Sequence, residues 1–243
     1  MHSKVRYNSD VTVELVKHSA SDHDVAFAAR VSTQGERSLE GASGFDMGEN
    51  EKLFGLINFL ARERHGSPFE HSVFTFYVKA PIFVWREHMR HRMASYNEES
   101  GRYRQLEPEF YVPSVDRKLI QTGKTGAYVF ESGTDEQYAV TIQAFRHSCE
   151  ESYRYYESLL SQGIAREVAR GVLPVTIYSS AYVTMNARAL MNFLSLRRSV
   201  EGSHFPSYPQ REIEMVAEKY EEIFKEIMPL THKAFVENGR VAP

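Results

Sequence analysis

Four arginines fall within fifteen residues, RHRMASYNEESGRYR, at positions 90–104. Arg90, Arg92, Arg102 and Arg104 are interleaved there with Ser95, Asn97, Glu98, Glu99, Ser100 and Gly101. A guanidinium is a permanent cation with its N–H donors in a planar fork, suited to two-point recognition of phosphate or carboxylate. Hydroxyls add neutral donors, carboxylates orient the cations, and Gly101 lets backbone N–H groups approach an anion closely. Three readings of the stretch compete: a solvated basic face, a nucleic-acid patch, and a site for a small phosphate ligand. A solvated face has no need of serine, asparagine and glycine among its arginines. A nucleic-acid patch calls for basicity spread over a wide surface, yet the net charge is -3 and the pI about 6.4. A phosphate site needs only a few convergent donors, and the residue pattern favours it.

More arginines stand in mixed polar and apolar settings: Arg170 in AREVARGVLP (165–174), and Arg188 and Arg197 in NARALMNFLSLR (186–197). A guanidinium among Leu194 and Leu196 requires a partner, either a core carboxylate or an anionic ligand. Other phosphate and catalytic chemistries fit poorly. No G-x-G-x-x-G occurs, and GKT at 123–125 has Lys118 where a P-loop needs its first glycine. His88 and His91, or His65 and His71, have ligand-like spacing, but Arg86, Arg90 and Arg92 crowd the first pair with positive charge that opposes a divalent ion. The expectation is no metal. Cys149, the single cysteine, lies on an apolar helical face beside Glu150 and Glu151, where its thiol is a poor nucleophile.

The elements that must hold these groups can be read from periodicity. Alternation predicts strands over 11–17, 71–80 and 175–185, with a short one at 110–112. Helices are expected at 22–32 with Asp22 as N-cap, at 49–66 stopping near Gly66, and over 81–92 from Pro81. Further helices are expected over 135–163, over 165–174 up to Pro174, from Asn186 as N-cap, and over 209–228. Segments 34–50 and 113–134 read as irregular. Helices and strands mix without strict alternation, so the fold class is α+β in one domain over 1–243.

The 243 residues are 42% hydrophobic and 25% charged, an ordinary globular balance. One cysteine forbids an internal disulfide, and neither a signal-type apolar region nor a membrane-length apolar run is present. The expectation is a cytoplasmic protein with no membrane and no nucleic-acid partner.

The stretch RHR, seven residues, then Ser100 resembles the signature of the flavin-dependent thymidylate synthases. HGSPFEH (65–71), ARGVLP (169–174) and NARALMNFLSLR (186–197) resemble other blocks of that family in the same order. The resemblance implies helices packed on a mainly antiparallel sheet and a homotetramer with active sites at subunit interfaces. It implies conversion of dUMP to dTMP with 5,10-methylenetetrahydrofolate as carbon donor and NADPH as reductant through bound FAD. Carried over by position, the flavin is met by His65, Ser67, Arg90, His91, Arg92, Glu98, Asn186, Arg188 and Asn192. The nucleotide is met by Glu87, Arg90, Glu98, Glu99, Ser100, Gly101, Arg102, Arg170 and Arg197, with Arg197 activating the uracil. One departure stands out: Glu201 occupies the place of a histidine common in the family, and His204 follows three residues later. Two rivals carry different chemistry. One is a single-stranded nucleic-acid binder stacking bases on Tyr96, Tyr103 and Tyr111; the other is a metal hydrolase built on the histidines.

Overall fold

Phe74 and Phe76 lie two apart on one strand and therefore share a face; around that face one half of the fold condenses. The computed structural model describes residues 4–37, 50–124 and 127–243. Most of the irregular segment expected at 34–50, and Thr125 of GKT, lie outside the described residues. The described chain forms two compact units, each from three stretches: Met1–Thr12, Val78–Arg90 and Asn97–Ala181 in the first, and Val13–Tyr77, His91–Tyr96 and Tyr182–Pro243 in the second.

A four-stranded sheet runs in the order β2 (Thr12–Ser19), β3 (Val73–Pro81), β8 (Tyr178–Asn186), β4 (Ala94–Glu98). Thr75 Oγ1 meets Thr184 Oγ1 at 2.9 Å, and the Tyr77 and Tyr182 rings lie 6.1 Å apart. The Trp85 Nε1 donates to both Ala80 O and Ser179 O. Partner numbers rise along β3 as they fall along β8, the mark of antiparallel pairing. β6 (Ile120–Lys124) and β7 (Ala127–Glu131) form an antiparallel hairpin, while β1 (Arg6–Asn8) pairs β5 (Glu109–Tyr111) in parallel. The architecture is mixed α+β, as the residue pattern led one to expect, with the antiparallel sheet that the family resemblance implies.

In the first unit, α4 (Asp135–Ser161) starts with a reciprocal capping box between Thr134 and Gln137. Its Cys149, Tyr153 and Tyr156 pack with Phe110, Ala169 and Ile177 into a small core. Cys149 is therefore the buried hydrophobe its spacing suggested. α3 (Ile82–His88) has no side-chain cap after Pro81; its first donors instead go to Ile177 O and Val175 O. The helix ends at His88, four residues short of the expected 92, because the chain must straighten into β4 to pair at the sheet edge. Buried His88 lies against Trp85, ring centroids 5.3 Å apart, as a core histidine. A short α5 (Arg166–Ala169) and a 3-10 turn at Arg170–Val172 precede Pro174 as expected.

In the second unit, Phe74 and Phe76 meet α7 (Arg211–Ile227) through Phe224 and Tyr220, and Tyr220 meets Phe193 of α6 (Ala187–Arg197). Phe193 in turn packs against His91, centroids 4.5 Å apart. This aromatic chain runs from the sheet, through two helices, to the RHR segment. α1 (Asp22–Gln34) is capped by Ser21, not Asp22. Buried Asp22 instead reaches α8 (Pro229–Glu237), accepting from Leu230 N at 2.9 Å, Thr231 N at 2.8 Å and Thr231 Oγ1 at 2.6 Å. α8 lacks a cap of its own, so a carboxylate distant in sequence satisfies its first turn and complements its dipole. α2 (Asn50–Arg62) ends before Arg64, whose φ of 61° reverses the chain ahead of Gly66.

Asp22→Ala removes three charge-assisted bonds from a buried carboxylate and leaves two helix donors unmet. It is expected to lower unfolding free energy by about 2–4 kcal/mol in denaturant titration, with Asp22→Asn losing less.

Candidate active site

Arg197 is the last residue of α6 and half-buried; its Nε donates to His91 Nε2 at 3.1 Å. An imidazole that accepts at Nε2 is neutral and carries its proton on Nδ1. Burial first, and then the Arg197 charge, push the His91 pKa from 6.5 down to about 4. The pair is thus a cation held by a neutral acceptor. Phe193 packs against the imidazole, and the Tyr96 hydroxyl donates to His91 O at 3.0 Å. Next along the chain, Arg198 bonds Glu218 at 2.8 Å and Glu221 at 3.3 Å on α7, with Glu214 at 3.6 Å.

A second cluster gathers His65, Gly66, Ser67 and Arg188. The Arg188 guanidinium lies so close over this turn that a Cβ on Gly66 would sit 2.5 Å from Arg188 Cζ. Arg188 Nε donates to Pro243 O at 2.6 Å, and Nη1 to Glu70 at 2.5 Å. Asn186 caps α6, its Oδ1 accepting from Ala189 N at 2.8 Å; that cap leaves the amide N–H group as a donor. Asn192 and Arg92 are exposed.

The third cluster lies in the first unit. A Cβ on Gly101 would sit 3.3 Å from Arg170 Cδ, which places Arg170 against the Ser100–Gly101–Arg102 turn. Arg102 Nε donates to Glu167, three residues before Arg170, at 2.9 Å. Glu98 accepts from Ser179 Oγ at 2.6 Å. Glu99 follows the last residue of β4 and accepts from Ser180 N and Oγ at 3.0 and 3.2 Å, with Arg104 at 3.6 Å. Glu99 thereby continues the β8 ladder where β4 stops, a structural use that the sequence did not reveal. At the end of α3, Arg90 N bonds Glu87 O at 3.2 Å, and the Arg90 side chain is exposed.

Of the expected flavin residues, His65, Ser67, His91, Arg92, Asn186, Arg188 and Asn192 belong to the second unit, whereas Arg90 and Glu98 belong to the first. The expected nucleotide residues Glu87, Arg90, Glu98, Glu99, Ser100, Gly101, Arg102 and Arg170 all belong to the first, and Arg197 to the second. Ser179, Ser180 and Tyr96, which hold site residues by hydrogen bonds, were missed as partners; no spacing links them to the residues they hold. Glu201 and His204 lie on the exposed loop after α6, and His204 N bonds Gly239 O at 2.9 Å. Of the three rings of the stacking rival, Tyr111 is buried, Tyr96 is half-buried and Tyr103 is exposed. Among the described residues no three His, Cys, Asp or Glu side chains gather as a metal-binding group, and no helix is long and apolar enough to cross a membrane.

Comparison with known proteins gives a family match. The model described as "Thymidylate synthase complementing protein" matches residues 14–230. A flavin-dependent thymidylate synthase of Tropheryma whipplei (strain TW08/27) is 59% identical over 235 residues, spanning 97% of this chain and 96% of its own. One from Streptomyces coelicolor is 57% identical over 241 residues, spanning 99% and 96%. The crystal structure of a UMP/dUMP methylase, PolB from Streptomyces cacaoi, bound with 5-Br dUMP is 50% identical, with a TM-score of 0.91 over 98% of this chain and 100% of that one.

Neutral His91 has a consequence for stability. The unfolded chain takes up a proton near 6.5, whereas the folded imidazole resists until about 4. Between those values the unfolded state binds more protons, so this contribution to stability is intact above 6.5 and is lost as pH falls through the window. Denaturant unfolding at about pH 7.5 and about pH 5 should show a larger loss for wild type than for His91→Gln, which cannot titrate. Equal losses would mean that His91 is protonated normally.

Proposed function

The chain belongs to the flavin-dependent thymidylate synthases, and on that premise we propose that it converts dUMP to dTMP, with 5,10-methylenetetrahydrofolate as carbon donor and NADPH as reductant. The observation that carries this reading is Arg197. It stands at a helix end, far in sequence from the RHR segment, and is held there by a neutral acceptor. We take the whole chain, 1–243, to work as one catalytic domain, in a cytoplasmic homotetramer with sites at subunit interfaces.

FAD fits the donors present. Arg188 over the Gly66 cradle, neutral His91, exposed Arg92 and Asn192, the Asn186 amide, Ser67 and His65 offer cationic and neutral donors suited to a pyrophosphate and a flavin edge. In this reading they hold the cofactor with Arg90 and Glu98. When bound, FAD supplies the hydride that it takes from NADPH.

Arg102 and Arg170 flank Ser100 and Gly101, where hydroxyl, backbone and guanidinium donors can take the nucleotide phosphate together. Glu87, Arg90, Glu98 and Glu99 complete the nucleotide set, Glu99 by bracing the turn through its bonds to β8. Arg197, with Nε committed to His91, presents its fork to the uracil edge. A fixed cation there favours the N3-deprotonated, enolate-like ring and makes C5 nucleophilic. C5 would take the donor's one-carbon unit and give up its proton, and one hydride equivalent would bring that carbon to the methyl level. No thiol adduct is called for: Cys149 is buried, and burial raises its pKa.

The purified protein should be yellow, and its NADPH oxidation should respond to dUMP with dTMP as product. Protein that neither retains nor binds FAD at saturation would defeat the proposal. Arg197→Lys keeps the charge but loses the planar fork; it should still bind dUMP while turnover falls by about 100-fold or more in steady-state assays. Near wild-type turnover would remove Arg197 from the activating role.

A further inference from the structure

Neither Tyr96 nor the acceptor role of His91 belongs to the site set drawn from the motifs. We propose that Tyr96 and His91 are positioning residues for Arg197: the Tyr96 hydroxyl fixes the His91 backbone, and the His91 ring fixes the guanidinium. The proposal rests on the reading that Arg197 acts on dUMP, and it says what aims that group.

Arginine is a long side chain whose planar head can turn about several bonds, so a fork aimed at a ring edge must be held from behind. His91 Nε2 takes the Arg197 Nε at 3.1 Å, and Nε is the donor nearest the stem. Fixing it sets the plane of the guanidinium close to the stem. The imidazole must itself be still. Phe193, one helical turn before Arg197 on α6, packs on it at 4.5 Å between centroids. The backbone of His91 lies outside α3 and β4, in the short link that joins them. There its carbonyl has the Tyr96 hydroxyl as donor at 3.0 Å. Tyr96 belongs to β4 and is tied through that strand to the sheet, so the route runs from β4 to His91 to Arg197. The chemistry of both bonds is matched. His91 stays neutral because burial and the Arg197 charge depress its pKa, so it accepts. Burial pushes the Tyr96 pKa up to about 12, so its hydroxyl keeps its proton and donates. A protonated imidazole would present N–H to N–H and repel the cation.

A double-mutant cycle tests this, with saturating FAD and flavin occupancy measured for every variant. Tyr96→Phe removes one hydroxyl and should lower kcat by about threefold. His91→Leu should lower it by about tenfold or more, and His91→Gln, whose Oε1 can accept from Nε, should restore part of that loss. In an Arg197→Lys background the same substitutions should change kcat by less than about twofold, because the group they hold is gone. The cycle is read a second time on the dUMP dissociation constant by calorimetry, which does not need turnover. Effects that add in the double variants, or losses that track flavin occupancy alone, overturn the proposal while leaving the functional reading intact. A wild-type protein that binds no dUMP overturns both.

Discussion

A guanidinium acts on a bound molecule most effectively when part of its donor fork is already committed elsewhere. Left unheld, it loses side-chain entropy on every encounter and spreads its charge over many orientations. In this protein Nε is the committed donor at three of the arginines assigned to ligands. Arg102 gives it to Glu167, Arg188 to the Pro243 carbonyl, and Arg197 to His91. The choice of nitrogen matters. Holding Nε fixes the plane of the guanidinium close to the stem, and the Nη groups have the geometry for two-point contact with phosphate or a heterocycle edge; at Arg188 one of them, Nη1, is given to Glu70. The acceptor also differs in a meaningful way. Arg102 has a carboxylate, which neutralises it in part; Arg197 has an imidazole that adds no opposing charge at that nitrogen. A cation keeps more of its field when its brace is neutral.

The rest of the second unit can be understood as what keeps that brace in register. Arg197 and Arg198 are adjacent like charges at the end of α6, an unfavourable pairing in isolation. Arg198 is turned to α7, where Glu214, Glu218 and Glu221 receive it. Glu221 also receives Arg240 at 2.7 and 2.9 Å and His232 at 2.9 Å. These partners hold its pKa down at about 2 against the opposing effect of burial. The polar lattice pins the end of α6, and the aromatic chain of Phe76, Tyr220 and Phe193 pins its middle. Neither device touches the expected ligands, yet both decide where Arg197 stands.

How much of this was legible in the sequence depends on whether the deciding partner was local. α4, α6 and α7 were readable because their apolar spacing and their caps, Thr134 and Asn186, lie within the same segments. α8 was not read, because Pro229 follows α7 directly and its cap, Asp22, comes from the other end of the chain. The hairpin β6–β7 was hidden in a segment that seemed irregular. Its strand positions are mostly exposed, so no alternation marks them; the pairing from Ile120↔Glu131 to Lys124↔Ala127 defines it. The site follows the same rule. Residue types and block order pointed to Arg102, Arg170, Arg188 and Arg197, but not to what each one leans on. Ser179 holding Glu98, and Ser180 holding Glu99, are contacts between strands, and only the β4–β8 adjacency creates them.

The same distinction explains why the opening stretch is so mixed. Arg90 closes one segment of the first unit, His91–Tyr96 belongs to the second, and Asn97 begins the return to the first. Within eight residues the chain serves both units. Its side chains therefore answer to different partners: neutral His91 to Arg197 in the second unit, Arg102 to Glu167 and Arg104 to Glu99 in the first. A solvated basic face would need no such changes of partner. α3 stops at His88 and β4 starts at Ala94; in the link between them His91 meets Arg197 of α6, and beyond Glu98 the Ser100–Gly101 turn stands against Arg170.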